Sequence, residues 1–353
     1  MSQRRISRRD VLKSAAVAGG LFASASRAAA PEPTTITPSL VEAATKEGRL
    51  FYYTSIDLPL AEKIAKSFEA AFPGIAVRVE RSGAERVFQR IGQEYASRIY
   101  GVDVVNSSDA AHFIAWKRDG ILAPFVPADV GMHYPADHKD PDGTFASFRV
   151  SLSPIAYNTD LVKHEEAPKS YADLLDPKWM GKIVKAHPSY SGTILTATFQ
   201  IVRELSWGYL EKLAQQKVMQ VQSATDPPKK LALGERAVMA DGGEYNVLQS
   251  KESGGPVEVA YPTEGTPLVV GPNGIFKNAP NPNAARLFQC YCFTPQCQQL
   301  IVDFGALRSM HPLVMEKPGR TPFRDIKTMK EDPAGVEQAS EQIKARYSRL
   351  FGV

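Results

Sequence analysis

Short runs of apolar and β-branched residues alternate along this chain with longer segments whose apolar positions recur every three to four residues. That alternation predicts α/β architecture. A helix is expected over 38–47, opened by Pro38 and closed by Gly48. The run Arg49-Leu50-Phe51-Tyr52-Tyr53-Thr54 reads as a strand, and 58–72 as a helix with Ile64, Phe68 and Phe72 on one face, stopped by Pro73-Gly74. Strand 75–80, helix 84–98, the short apolar strand 102–105 and helix 110–117 complete a first β-α-β-α-β-α unit.

Residues 124–144 are rich in Pro, Asp and Gly and read as surface loop, and 148–157 is extended, the first crossing to a second unit. That unit is expected to hold strands 182–186 and 236–240 with helices 192–205, 207–215, 227–233 and 244–251. Strands 257–261 and 268–270 lead back; helices 283–293 and 296–304 follow, and a charged amphipathic helix 336–350 is expected on the outside. The expectation is a two-lobed α/β protein, each lobe a mixed sheet flanked by helices. Residues 31–147 and 270–353 form lobe 1, residues 148–269 form lobe 2, and hinge crossovers frame a ligand cleft.

Composition changes this picture mainly at the start. Arg8-Arg9 precedes a weakly apolar, Ala- and Gly-rich run and the small residues Ala28-Ala29-Ala30, the pattern of a twin-arginine export signal over residues 1–30. The whole chain carries a formal charge of +4, but its first thirty residues hold six basic side chains and one acid. The remainder is near −1, which gives no reason to expect nucleic acid or an anionic membrane as partner. No apolar run after Pro31 reaches the length of a membrane span. Cys290, Cys292 and Cys297 match no zinc or iron–sulfur spacing; buried small hydrophobes and a Cys292–Cys297 bridge are the two readings. The six histidines show no metalloenzyme spacing.

Candidate chemistry lies where strands end and helices begin, because unpaired N–H groups and the positive helix end attract anions there. Four such loops are legible: Ser55-Ile56-Asp57, Asn106-Ser107-Ser108-Asp109, Ser189-Tyr190-Ser191-Gly192-Thr193, and Asp241-Gly242-Gly243-Glu244-Tyr245. Ser191-Gly192-Thr193 offers two hydroxyls and consecutive amides to an oxyanion, and bulk at Gly192 is expected to block the ligand's approach. Plain N-capping is the alternative reading for Ser189 and Ser191. Asp57, Asp109 and Asp241 are either helix caps or a carboxylate wall facing a cation. Tyr245 is a ligand, a hydrogen-bond donor or a packed aromatic, and Tyr190 a cleft lid or surface packing. Tyr52 and Tyr53 point to opposite faces of their strand and cannot share one ion.

Several segments resemble one family. Asp173-Leu174-Leu175-Asp176-Pro177-Lys178-Trp179-Met180-Gly181-Lys182-Ile183 is similar to a stretch of the extracellular solute-binding proteins of ABC importers, nearest the ferric-binding group. Asn278-Ala279-Pro280-Asn281-Pro282-Asn283-Ala284-Ala285-Arg286-Leu287-Phe288 and Thr294-Pro295-Gln296-Cys297-Gln298 resemble a second block of that group, and Tyr53-Thr54-Ser55 and Phe72-Pro73-Gly74-Ile75 match as well. The resemblance implies a type II periplasmic binding protein that closes on a solute and delivers it to an inner-membrane ABC permease. It implies no catalysis, no cofactor, no nucleic acid, no membrane insertion, and a monomer in the periplasm.

In the ferric-binding group a similar Ser-Gly-small turn holds an anion. The chain departs from the iron pattern, with Glu244-Tyr245 in place of two tyrosines, Asp57 in place of a histidine, and Ser108-Asp109 in place of Glu-Gln. If iron is the cargo, Asp57, Asp109, Glu244 and Tyr245 are its donors. The expected ligand-binding set is Ser55, Asp57, Ser108, Asp109, Ser191, Gly192, Thr193, Asp241, Glu244 and Tyr245. An organic or phosphorus-containing anion is favoured, with ferric iron as the alternative and a cationic metabolite third. From other classes, a periplasmic sensor subunit and an exported hydrolase remain, although no G-x-S-x-G elbow is present.

Overall fold

The structure is a computed structural model that describes residues 29–353. The export-signal reading lies outside the described residues except for Ala29 and Ala30. The first part of the chain runs α1 (Pro38–Glu47), β1 (Arg49–Thr54), α2 (Leu58–Ala71), β2 (Ala76–Arg81), α3 (Ala84–Ala96), β3 (Val104–Asn106), α4 (Ala110–Arg118), β4 (Leu122–Ala123), α5 (Ala128–His133) and β5 (Phe145–Leu152). A second group follows: β6 (Ile155–Asn158), β7 (Ile183–Ala186), α6 (Gly192–Ala214), β8 (Met219–Val221), α7 (Asp226–Ala232), β9 (Val238–Met239), α8 (Glu244–Glu252) and β10 (Val257–Ala260). The chain then returns through β11 (Leu268–Phe276) to α9 (Pro282–Cys292), α10 (Pro295–Asp303) and α11 (Pro333–Phe351).

Two mixed sheets result. One has the order β2-β1-β3-β11-β4, with β5 also paired to β11; the other has the order β10-β6-β9-β7-β8. The chain passes between them twice, from β5 to β6 and from β10 to β11, so two extended strands link the lobes as hinge segments.

Local chemistry explains most element ends. Thr37 accepts the Leu40 N–H at 3.2 Å and Pro38 occupies the first turn of α1; Gly48, at φ 69°, closes it. The buried face of α2, with Ile64 and Phe68 fully inaccessible, packs Phe68 edge-on against Phe288 at 5.1 Å. Asp103, fully buried, accepts from Phe51 N (2.8 Å), Asn281 N (2.7 Å) and Asn281 Nδ2 (2.9 Å), tying β1 to the start of α9. Asp103→Ala strands those three donors and is expected to cost about 3 kcal/mol. A lower urea midpoint at unchanged slope checks this.

Several expectations need correction. The predicted loop 124–144 contains α5. The strand expected over 268–270 runs on to Phe276 through Gly271-Pro272-Asn273-Gly274, because a register shift between Gly271 and Pro272 absorbs residues that otherwise signal a turn. Strand β8 was missed altogether. The two helices expected at 192–205 and 207–215 are present, divided at Ser206 (φ 66°) within α6. Helix α11 packs on the outside as expected, by one buried stripe of Val336, Ile343 and Tyr347; Arg118 reaches its Glu337, and Tyr347 reaches Gln220 of β8. Cys290, Cys292 and Cys297 are free, buried thiols, and burial pushes Cys292 well up.

Candidate functional site between the lobes

The strand ends of the two sheets face one another across a small cavity of about 20 Å³. From the first sheet and its loops come Ser55, Arg81, Ser108 and Arg149; from the second come Tyr190, Ser191, Thr193, Ser223, Thr225 and Tyr245. A larger hollow, about 350 Å³, lies under residues 30–33 and is lined mostly by apolar groups away from these strand ends.

Of the residues expected from sequence, Ser55, Ser108, Ser191, Thr193 and Tyr245 line this cavity. Ser55 Oγ accepts from Ser108 N at 2.9 Å, joining the first two loops. Ser191 precedes α6 without a side-chain cap, so its hydroxyl and the first amides of α6 are uncommitted. The Thr193 hydroxyl also has no hydrogen-bond partner among the described residues.

Gly192 has a different part from the one expected. A Cβ there would stand 2.5 Å from Asp109 Cβ and 3.2 Å from Ala84 Cβ, both in the opposite lobe, so its lack of a side chain permits lobe contact. Gly83 does the same from the other side, with a Cβ 2.8 Å from the Tyr190 carbonyl oxygen. Arg86 adds an interlobe bond to Gln222 at 3.1 Å. The lobes are closed on each other.

The acids are placed elsewhere than a cation wall would require. Asp57 caps α2 through Leu60 N at 3.4 Å, and burial raises its carboxyl. Asp109 caps α4 through Ala111 N at 2.9 Å. Asp241 is fully buried against Lys185, Oδ2 to Nζ 2.6 Å. Glu244 accepts both Arg308 Nε (3.1 Å) and Nη2 (2.8 Å), and Tyr261 Oη donates to it at 2.6 Å. Each carboxylate has a counter-group or cap, although Asp57 Oδ1 stays without a hydrogen bond, and none of the four lines the cavity.

Arg81, Arg149, Ser223 and Thr225 were missed. Arg149 sits on β5 and is 3 % exposed. Its Nε donates to Asn106 Oδ1 at 3.2 Å and its Nη2 to Ser55 Oγ at 3.4 Å; among the described residues no carboxylate is in ion-pair contact with it, and Asp57 acts on it only from farther off. Gly271 makes room for it, since a Cβ there would fall 2.9 Å from Arg149 Cγ and Nε. Burial pushes its pKa down, but a guanidinium remains charged in proteins. Arg81 approaches through Ile56, Nε to O 3.1 Å. The signal was a charged residue inside the otherwise buried run Phe145–Leu152. Ser223 and Thr225 follow the missed strand β8.

Two guanidiniums, an uncapped helix N-terminus and free hydroxyls converge on one small space. That arrangement suits an anion with several oxygens. Tyr245 is pushed up to about 12, chiefly by burial and then by Asp57, so it presents a neutral phenol.

Two side-chain groups bring metal-capable atoms together. Glu85, Asp109 and His112 do so, but Lys344 Nζ already stands 2.8 Å from Glu85 Oε2 and His112 Nε2 lies 3.0 Å from Glu85 Oε1. In the other, Asp129, His133 and His311, the Leu313 N–H donates to His311 Nδ1 at 3.2 Å. That bond commits Nε2–H to Asp129, 3.3 Å away, and leaves no lone pair there for a metal.

Comparison with known proteins agrees with this architecture. An iron uptake protein A1 of Synechocystis sp. is 27 % identical over 229 residues, 61 % of this chain and 63 % of its own length. The periplasmic binding protein AfuA from Actinobacillus pleuropneumoniae, with fructose-6-phosphate bound, superposes with a TM-score of 0.79 at 23 % identity, covering 87 % of this chain and 99 % of its own. Iron-bound HitA from Pseudomonas aeruginosa gives 0.74 at 22 % identity, covering 86 % and 99 %. At these identities the two structures speak to the fold, a two-lobed periplasmic binding protein. Residues 102–324 match the family described as bacterial extracellular solute-binding protein, and the chain belongs to that family.

Proposed function

We propose that this protein is the periplasmic binding component of an ABC importer for a small organic anion, a phosphate monoester or phosphonate in the first instance. It leaves the cytoplasm by the twin-arginine route, closes its lobes on the solute as a monomer, and hands it unchanged to a membrane permease. The observation that carries the cargo class is Arg149, a buried guanidinium with no carboxylate in ion-pair contact, lining the interlobe cavity. An unpaired buried charge is costly, and a bound anion removes that cost. Arg81 and the uncapped start of α6 favour the same sign of charge. Among the structural neighbours, AfuA carries fructose-6-phosphate.

Ferric iron is the second reading, supported by the iron uptake relative and by HitA. Of its four expected donors only Tyr245 lines the cavity, as a neutral phenol beside two guanidiniums. A thermal-shift screen of the chain from Pro31 separates the readings. It compares hexose phosphates, phosphonates, inorganic phosphate, small carboxylates, ferric citrate and polyamines. The proposal expects the largest rise in melting temperature with a phosphorylated organic anion; a response confined to ferric citrate or to polyamines contradicts it.

A further inference from the structure

We infer that the buried Lys185–Asp241 pair is a positioning device for the anion site, an inference that rests on the anion reading above. The parallel pairing of β7 with β9 matches Ile183 to Val238 and Val184 to Met239, which brings the carboxyl ends of these strands side by side. Lys185 is the third residue of β7 and Asp241 lies just beyond β9. Their side chains meet at 2.6 Å and are 1 % and 0 % exposed.

The loop that leaves β7 delivers Ser191 and Thr193 to the cavity, and the loop that leaves β9 delivers Tyr245. Lys185 Nζ also donates to the Ala186 carbonyl and to Thr198 Oγ1 of α6, each at 3.4 Å, so it holds the base of the helix whose first turn faces the solute. On the other side, Gly243 N donates to the Ala224 carbonyl at 3.0 Å, linking the Asp241 loop to the segment that carries Ser223 and Thr225. The ion pair therefore ties together the supports of two second-lobe contributions, and the Gly243–Ala224 bond joins the third to them.

Its chemistry fits positioning better than stability. Removing two charges from water costs about as much as their attraction returns, and apolar replacements of similar volume are often neutral or stabilising. What the pair supplies is a fixed geometry between two strand ends, because each group becomes expensive when it loses the other. Burial disfavours both charges, lowering Lys185 and raising Asp241, and the contact offsets only part of this.

The test compares the wild type with Lys185→Met/Asp241→Asn and with Arg149→Met. Three readings are taken: the melting temperature, calorimetric titration with fructose 6-phosphate and inorganic phosphate, and amide exchange of segments 187–193 and 241–245 without ligand. For the double variant, we expect a melting temperature within a few degrees of wild type, at least tenfold weaker binding, and faster exchange in those two segments alone. Affinity within twofold of wild type together with unchanged exchange overturns the inference. If the wild type binds neither probe, or Arg149→Met binds as the wild type does, the anion reading fails, and loop exchange alone then decides the role of the pair. Should the double variant not fold, Lys185→Gln/Asp241→Asn, which removes both charges and leaves neither partner alone, is read in the same way.

Discussion

Arg149→Met abolishes solute binding without unfolding the protein. The loss is expected to be about 100-fold or more, roughly 3 kcal/mol, the range found when one member of a buried charged pair is truncated. The sign of the stability change is the distinctive part. In the unliganded protein Arg149 is held by Asn106 and Ser55 but has no carboxylate in ion-pair contact; Asp57, farther off, offsets only part of the desolvation of its charge. Methionine keeps most of the volume and removes that cost, so the empty variant should melt at or above the wild-type temperature. Calorimetry and a thermal melt on the same sample check both halves. A variant that binds normally removes Arg149 from the site.

Gly192→Leu has the second largest effect, and it acts through closure. Any Cβ at this position would stand 2.5 Å from Asp109 Cβ, so the lobes must part by roughly 1 Å or more at that point even for alanine, and further for leucine. The receptor is assembled from both lobes, with Ser55, Arg81, Ser108 and Arg149 on one side and Ser191, Thr193 and Tyr245 on the other. Holding the lobes apart leaves each half with too few contacts, and affinity is expected to fall about 100-fold. The folded lobes are untouched, because the clash exists only between them. Small-angle scattering should show a larger radius of gyration in the presence of solute than for the wild type. A variant that closes normally and binds normally would show that the contact with Asp109 yields at little cost.

How far the sequence could be read depends on whether the informative partner is near in the chain. Helices α1 and α2 were legible because their start and stop signals, Pro38, Gly48, Asp57 and Pro73, are local. The cleft loops were legible because strand-to-helix junctions carry Ser, Gly and Asp in recognisable order. Asp241 and Glu244 looked like ligands for the same reason, yet Lys185 and Arg308 neutralise them from distant segments. Local spacing carries no trace of such pairs. Arg149 was overlooked for the opposite reason. A charge inside a buried strand breaks the hydrophobic pattern, and such breaks are where functional groups are expected. The second half of β11 was hidden by Gly271-Pro272, which marks a turn in most chains and here marks a bulge that leaves space for Arg149.

The charge of the solute is tested most directly by a crystal structure of the chain from Pro31 grown with a hexose phosphate. The account predicts the phosphate between the lobes, within hydrogen-bonding reach of the Arg149 guanidinium and of the first amides of α6. A metal ion held by Tyr245 with Arg149 turned away, or an anion bound anywhere else, would contradict it.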